Sequence, residues 1–177
     1  MVQSIVLPHD PAQSPRLGEL ADAGDFQAAV DGWLEPIEMP AFGITFYVNE
    51  AARREHHPIN CRAMAIWWLS SVTTRDYPMF LGDVVLTGSG VDEASEDVPE
   101  HIIRDVFESR EFVLQLRPDQ HHTWHDTYAR FGSIFDAGVW CALLSCTVRP
   151  SVLLRLRSRL PAVVATNEAS RGSDALW

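Results

Sequence analysis

Three histidines and two aspartates cluster in the stretch PDQHHTWHD, residues 118–126, and this combination is a candidate for metal binding. His121 and His125 are four residues apart, the spacing that places two ligands on one face of a helix. A zinc hydrolase needs a glutamate after the first histidine to act as a base, and His122 stands there instead. The Pro-Asp pair before the histidines favours a turn over a helix interior. We therefore predict no metal and no cofactor, and His121 and His125 are the candidate ligands if a metal does bind.

Three arginines alternate with other residues in SVLLRLRSRL, as the exposed face of a half-buried strand does. A stripe of Arg155, Arg157 and Arg159 is suited to bind phosphates or an acidic partner. The alternative is a solvated strand face on which the methylene groups of the arginines pack over neighbouring residues. No aromatic residue is interleaved with these arginines, which gives little support to the stacking of single-stranded nucleic acid. The three arginines are a candidate interaction surface and a candidate dimer contact.

Acidic residues are concentrated in VDEASEDVPE, residues 91–100. Such a run is typical of a solvated loop leading into a helix. The alternative is a surface that mimics phosphates and occupies a nucleic-acid-binding protein. The acidic candidates for an interaction surface are Asp92, Glu93, Glu96 and Asp97.

The net charge of −10 is unevenly distributed along the 177 residues. Residues 1–110 hold 18 acidic residues and 7 arginines, whereas residues 111–177 hold 6 acidic residues and 7 arginines. Direct binding of nucleic acid by the first part is therefore not expected. Every basic residue is arginine, so a phosphate-binding Walker lysine, a Schiff base and an amine nucleophile are excluded.

The cysteines and the apolar runs favour a cytoplasmic protein with no membrane segment. Cys61, Cys141 and Cys146 are an odd number without CxxC spacing, so neither a disulfide framework nor a zinc ribbon is predicted. The first residues lack the basic and apolar regions of a signal peptide. The longest apolar run, AGVWCALLSC, is shorter than the ~18 residues that cross a bilayer.

The periodicity of residues 1–109 predicts an α+β domain in which a mixed sheet carries short helices. Strands are predicted at VQSIVL and GDVVLTG, and a hairpin is predicted at WLEPIEM and GITFYVNE, with Ile44, Phe46 and Val48 on one face. Pro36 limits its strand to a sheet edge or a bulge. A proline-rich loop, PHDPAQSP, follows the first strand.

Three helices are predicted in the same region from their capping residues. The first is bracketed by Asp25 as N-cap and Gly32 as stop, and the second begins after Asn60. The second helix is apolar around nearly its whole circumference, which is typical of a helix buried between two layers. Asp97 and Glu100 have the spacing of a capping box for the third helix.

Residues 110–161 are predicted to form a ββαβ unit packed on or beside the first domain, followed by a mobile tail over residues 162–177. The first strand of the unit is EFVLQLR, and a capping box of Ser133 and Asp136 begins its helix. SVLLRLRSRL is its last strand. In its second strand, TWHDTYARF, one face carries Trp124, Asp126, Tyr128 and Arg130.

Several segments of residues 2–108 resemble a family of phage- and plasmid-encoded proteins, common in actinobacteria and classified only as a domain of unknown function. The matching segments are GWLEPI, YVNE, the Asn-x-Arg-Ala of residues 60–63, and GDVVLTG. The chain departs from the family pattern where Ile59 separates Pro58 from Asn60 and where Met64 replaces a threonine. The resemblance implies a small α+β protein of a mobile element with no assigned chemistry.

The polar residues inside these family-like segments form the candidate ligand site. Asn60 is a sufficient helix cap, Arg62 is expected to pair with Glu50 or Asp83, and Asp83 suits a turn. These structural roles account for the residues without a substrate. The alternative is a pocket near Arg62, and its candidate ligand-binding residues are Asn49, Glu50, Asn60, Arg62 and Asp83.

No catalytic signature such as GxSxG, GxGxxG or a Cys-His motif is present, so catalysis is not expected. We predict a non-enzymatic accessory protein of a phage or plasmid that binds a host or element-encoded macromolecule, as in host takeover or anti-defence. The expected partner is a protein, and the sequence also allows a homodimer. The alternative is a protein that binds a small molecule or nucleotide, or a hydrolase, with its pocket near Arg62.

Overall fold

The computed structural model describes residues 1–70, 78–90, 95–118, 122–148 and 152–159. Within them, the chain forms a six-stranded sheet and a three-stranded sheet, in which every strand pairing is antiparallel. The α+β class predicted from the sequence is confirmed. Among these residues, none of the helices has both the length and the apolar character needed to cross a membrane.

The six-stranded sheet has the order β2-β1-β5-β4-β3, and β6 pairs with β5. Its elements and the helices between them are β1 Val2–Leu7, β2 Arg16–Leu20, α1 Ala23–Val30, β3 Leu34–Met39, β4 Ile44–Asn49, α2 Cys61–Ser70, β5 Val84–Ser89, β6 Ser95–Glu96 and α3 Glu100–Phe107. The predicted β3–β4 hairpin is confirmed, and Pro36 lies in β3 at the edge of the sheet. An edge strand tolerates proline because its outward side needs no backbone donor.

Both faces of this sheet are covered by helices. On one face, Ile44, Phe46 and Val48 of β4 are buried together, as predicted, in a cluster that includes residues of α2 and α3. On the other face, Phe26 and Val30 of α1 pack against β1 and β5. Because both faces are covered, nearly every residue of β4 and β5 is buried.

Helix α2 lies between the large sheet and a further helix, as its all-round apolar surface predicts. Asn60 caps it: the side-chain oxygen of Asn60 accepts a hydrogen bond from the backbone N–H of Ala63 at 3.0 Å. The amide nitrogen of the same side chain donates to the carbonyls of Leu7 and Gly82, both at 2.8 Å. Asn60 therefore connects the start of α2 to β1 and to the turn before β5.

The first turn of α1 begins earlier than predicted. Asp22, not Asp25, is the N-cap, and its carboxylate accepts from the backbone N–H groups of Gly24 and Asp25. Asp25 instead accepts from the N–H of Ala21 at 2.8 Å, which stabilises the same turn from within. The helix ends at Asp31, which has a left-handed conformation.

Two further details of the first domain differ from the predictions. Strand β2 was not predicted, because RLGEL is largely exposed and shows no apolar alternation. The capping box at Asp97 was wrong: its carboxylate accepts from the N–H of Gln3 in β1 at 2.7 Å, and α3 begins after Pro99 with no side-chain cap. Asp97 therefore connects the segment before α3 to the sheet.

The three-stranded sheet has the order β8-β7-β9, with α4 on one face. Its elements are β7 Glu111–Pro118, β8 His125–Phe131, α4 Ile134–Thr147 and β9 Val152–Arg159, which confirms the predicted ββαβ order. The predicted Ser133 cap is also confirmed, since its hydroxyl accepts from the N–H of Asp136 at 3.1 Å. The predicted mobile tail, residues 162–177, lies outside the described residues.

Helices α2 and α4 approach each other at a single glycine. A Cβ atom added to Gly138 of α4 would collide with the backbone carbonyl of Ala65 in α2. Ile134, Ala137, Gly138 and Cys141 form the buried stripe of α4. Leu69 of α2 and Val106 of α3 pack against the cluster beneath this stripe, so helices of the first domain take part in the core of the small sheet. The predicted division into domains at residues 109 and 110 stays a prediction.

Substitution of Gly138 by alanine tests this helix contact. We expect Gly138→Ala to lower the free energy of unfolding by about 3 kcal/mol, because backbone atoms must move to admit the methyl group. Gly132→Ala is the matched control, since a Cβ at Gly132 meets no atom within 4 Å. Denaturant titration of both variants measures the difference. Equal stabilities would show that the helices are not in close contact.

Cys141 lies in the buried stripe of α4, and its burial raises the pKa of the thiol from 9.0 to about 11. In the unfolded chain the thiol ionises at the lower pH, so the unfolded state loses its proton first as the pH rises. We expect the free energy of unfolding to fall by about 2–3 kcal/mol between pH 9 and 11 because of this group. Denaturation of Cys141→Ala over the same range should show a shallower fall, and parallel profiles would contradict this assignment.

Candidate functional site

A continuous polar network crosses the three-stranded sheet on the face opposite α4. Residues that lie directly opposite each other in an antiparallel pair share a face, and Gln115 of β7 lies opposite both Asp126 of β8 and Arg155 of β9. The amide nitrogen of Gln115 donates to Asp126 at 2.5 Å, and its amide oxygen accepts from Nε of Arg155 at 2.7 Å. Arg157 donates to the second oxygen of Asp126 at 2.8 Å.

An aromatic ring extends this network at one end. Trp124 precedes β8, and the guanidinium carbon of Arg155 lies 4.2 Å from the centroid of its ring. The guanidinium carbon of Arg117, from β7, lies 4.8 Å from the same ring. Both distances are within the range of cation–π attraction. The two arginines therefore hold the indole ring against the sheet.

We name this surface the arginine face; it comprises Gln115, Arg117, Trp124, Asp126, Arg155 and Arg157. Three guanidinium groups meet one carboxylate, so its local charge is positive, although the chain as a whole is acidic. Arg157 and Asp126 form an ion pair, and their side chains are 42% and 33% exposed. A pair this open to water contributes little to stability and mainly fixes positions.

No aromatic residue is interleaved with the arginines within β9, but an aromatic ring from outside this strand lies beside them. Trp124 reaches Arg155 from across the sheet, because β8 and β9 flank β7 on opposite sides. Tyr128 lies between Asp126 and Arg130, where the register of β8 shifts, and it is 104% exposed. Arg159 ends β9 opposite Glu111, and its side chain lies outside the described residues.

The acidic candidates are only partly described. Asp92 and Glu93 lie outside the described residues, and Glu96 is exposed in the two-residue strand β6. Asp97 is occupied by its hydrogen bond to the backbone of β1. Of these four candidates, Glu96 is therefore the one that the structure describes as an exposed carboxylate not bonded to the sheet backbone.

The histidine stretch is only partly described, because His121 lies outside the described residues. His125 is exposed and lies opposite Leu116, on the α4 side of the sheet and away from the arginine face. Within the described ranges, no three His, Cys, Asp or Glu side chains come together as a metal site would require.

Arg62 does not pair with Glu50 or Asp83, contrary to expectation. Its guanidinium donates to the backbone carbonyls of Pro8, Asp10 and Pro11 at 2.9, 3.1 and 3.0 Å. Arg62 therefore holds the loop between β1 and β2. Burying a guanidinium against carbonyl groups uses its donors for structure.

Asp83 contacts the same loop through a residue that was not identified from the sequence. One oxygen of Asp83 accepts from the backbone N–H of His9 at 2.9 Å and lies 2.7 Å from Nδ1 of its ring. Asn60, Arg62 and Asp83 thus converge on the segment that follows β1. Nothing in the spacing of His9 and Asp83 signals this pair, since 74 residues separate them.

The two other candidates, Asn49 and Glu50, belong to a separate set of contacts. The amide nitrogen of Asn49 donates to the carbonyl of Asp31 at 2.7 Å and to Glu55 at 3.0 Å, and its oxygen accepts from the N–H of Ala51 at 2.8 Å. Asn49 is buried, whereas Glu50 is exposed. The ligand-binding role of all five candidates stays a prediction.

A cavity of about 380 Å³ adjoins Arg62. It is lined by His9, Asp10, Pro11, Pro58, Ile59, Cys61 and Arg62. The hydrogen bonds of Arg62 go to the wall of this cavity, because Asp10 and Pro11 supply two of the accepting carbonyls.

Comparison with known families separates the arginine face from the first domain. Residues 3–110 match the family described as a domain of unknown function, DUF3846. The chain belongs to this family. No curated protein and no solved structure matches the chain. The DUF3846 match ends just before β7, so the arginine face lies outside the matched region.

Substitution of Arg62 distinguishes a structural role from a ligand-binding role. We expect Arg62→Ala to lower the free energy of unfolding by about 1–2 kcal/mol, because three carbonyls lose a charged donor. Arg53→Ala, at an exposed position, is the control and should have wild-type stability. Denaturant titration gives both values. Wild-type stability of Arg62→Ala would instead favour a guanidinium kept for a ligand.

Proposed function

We propose that the chain is a non-enzymatic accessory protein of a phage or plasmid that binds a host or element-encoded macromolecule through the arginine face. The observation that carries the proposal is the network from Arg157 through Asp126 and Gln115 to Arg155, which fixes guanidinium groups on an exposed sheet face. The resemblance of the Asn-x-Arg-Ala and GDVVLTG segments to mobile-element proteins supports the origin. Host takeover or anti-defence is the cellular role that we propose.

The polar residues of the first domain give no support to catalysis. Asn60, Arg62 and Asp83 direct their hydrogen bonds to backbone groups or to the ring of His9. A catalytic site needs ionisable groups that converge on a substrate. The contacts of these three residues instead stabilise the loop and helix junction.

The second candidate function is the binding of a small molecule or nucleotide beside Arg62. The cavity of about 380 Å³ favours it, because it lies in the size range of ligand pockets. His9 lines this cavity, and Asp83 fixes the orientation of its ring. Wild-type stability of Arg62→Ala would raise this candidate above the first.

Capture of partners in host cells tests the proposal. The tagged full chain is cross-linked in cells, and bound proteins and nucleic acids are recovered in parallel. We expect one macromolecule to be recovered with the wild type and lost with the double variant Arg155→Gln/Arg157→Gln, because the substitutions remove two of the three positive charges of the face.

The matched control is Arg53→Ala/Arg54→Ala, which removes the same charge from two exposed positions of the first domain. It should retain the partner. Equal recovery with both double variants would show that binding uses another surface, and equal loss would show that only net charge matters. Either result contradicts the proposal.

A further inference from the structure

We infer that the arginine face binds single-stranded nucleic acid, with phosphates on Arg155, Arg157 and Arg117 and bases stacked on the neighbouring aromatic rings. The inference rests on the proposed function, because it takes the arginine face to be the binding surface. It adds the chemical class of the partner.

The guanidinium groups are placed to receive phosphates. Arg155 uses Nε for Gln115, and within the described residues no other hydrogen bond holds its terminal nitrogens. Arg117 contacts the ring of Trp124, and no hydrogen bond engages it in the described part of the chain. The planar guanidinium fork matches the geometry of phosphate oxygens. These donors are fixed before binding, which lowers the entropic cost of association.

The aromatic rings provide surfaces on which bases stack. Trp124 is held against the sheet by two guanidinium groups, at 4.2 and 4.8 Å from its centroid. Tyr128 lies in β8, the strand that follows Trp124, and is 104% exposed, so its ring is accessible to a base. An aromatic ring beside a positive strand face is the arrangement on which successive bases stack while the backbone follows the charge.

The charge distribution favours a single strand over a duplex. Residues 1–110 carry 18 acidic residues and 7 arginines, so a wide polyanion that extended past the small sheet would meet repulsion. A duplex also keeps its bases stacked inside, where Trp124 and Tyr128 cannot reach them. An acidic protein segment would pair with the arginines but would leave the exposed Tyr128 without a role. A single strand of nucleic acid would contact the arginines through its phosphates and the tyrosine through a base.

Fluorescence anisotropy with a labelled oligo(dT) of about 12 nucleotides, a length typical of one single-strand-binding domain, tests the inference on the full chain. We expect binding whose affinity falls with salt, with a log–log slope of about −1.5 to −2 for two or three phosphate contacts. Arg155→Gln/Arg157→Gln should weaken binding at least about tenfold. Tyr128→Ala should weaken it about fivefold or more through lost stacking.

Tyr128→Ala also guards against misfolding, because a fully exposed side chain contributes no core contacts. Arg53→Ala/Arg54→Ala should leave the affinity for oligo(dT) near that of the wild type. A duplex of equal length that binds as tightly, or a poly-glutamate peptide that binds as tightly with the same sensitivity to the variants, would overturn the inference. Failure of oligo(dT) to bind, together with capture of a protein that depends on Arg155 and Arg157, would overturn the inference and leave the proposed function in place.

Discussion

The close approach of α4 to α2 at Gly138 and Ala65 is the contact on which the rest of the structure depends. Helix α2 is apolar on all sides because the six-stranded sheet covers one side and α4 covers another. Helix α4 in turn covers the apolar face of the small sheet, through Ile134, Ala137 and Phe112. With that face buried, the opposite face of the same sheet is left for polar groups. The position of the arginine face thus follows from a helix contact that involves none of its residues.

Gln115 fixes the positions of its neighbouring side chains on the arginine face. It is only 4% exposed, and a buried amide is costly unless both its donor and its acceptor are satisfied. Asp126 accepts from the nitrogen and Arg155 donates to the oxygen, so each neighbour constrains the other through one side chain. Two long arginine side chains on an open surface normally sample many rotamers. Here a buried amide and an indole ring restrict Arg155, which converts a charged strand into a defined geometry.

Much of the fold could be predicted from local patterns, whereas the candidate site could not. Alternation in SVLLRLRSRL and the cap at Ser133 identified β9 and α4, because both are local signals. The N-caps assigned to Asp25 and Asp97 were wrong, because Asp22 caps α1 and Asp97 instead accepts from the backbone of β1. A local pattern shows which residues are able to cap a helix, but it does not show which backbone donor each carboxylate meets. Trp124 was placed on the face of Asp126, yet its contact with Arg155 depends on β9 joining β7 at the edge opposite β8. Strand order across a sheet is not encoded in spacing along the chain.

The DUF3846 match ends at residue 110, and the first strand of the arginine face begins at Glu111. The two regions also differ in charge. The matched region has an excess of 11 acidic residues over arginines, from 18 and 7, while residues 111–177 have one more arginine than acidic residues, from 7 and 6. Fields of opposite sign persist over about 8 Å at physiological salt, a distance comparable to the width of three strands. In the binding mode that we propose, an anionic partner would be repelled by the first domain and attracted by the small sheet, so it would be oriented before contact. The acidic domain would then disfavour polyanions too wide to fit on the small sheet, without itself contacting the bound partner.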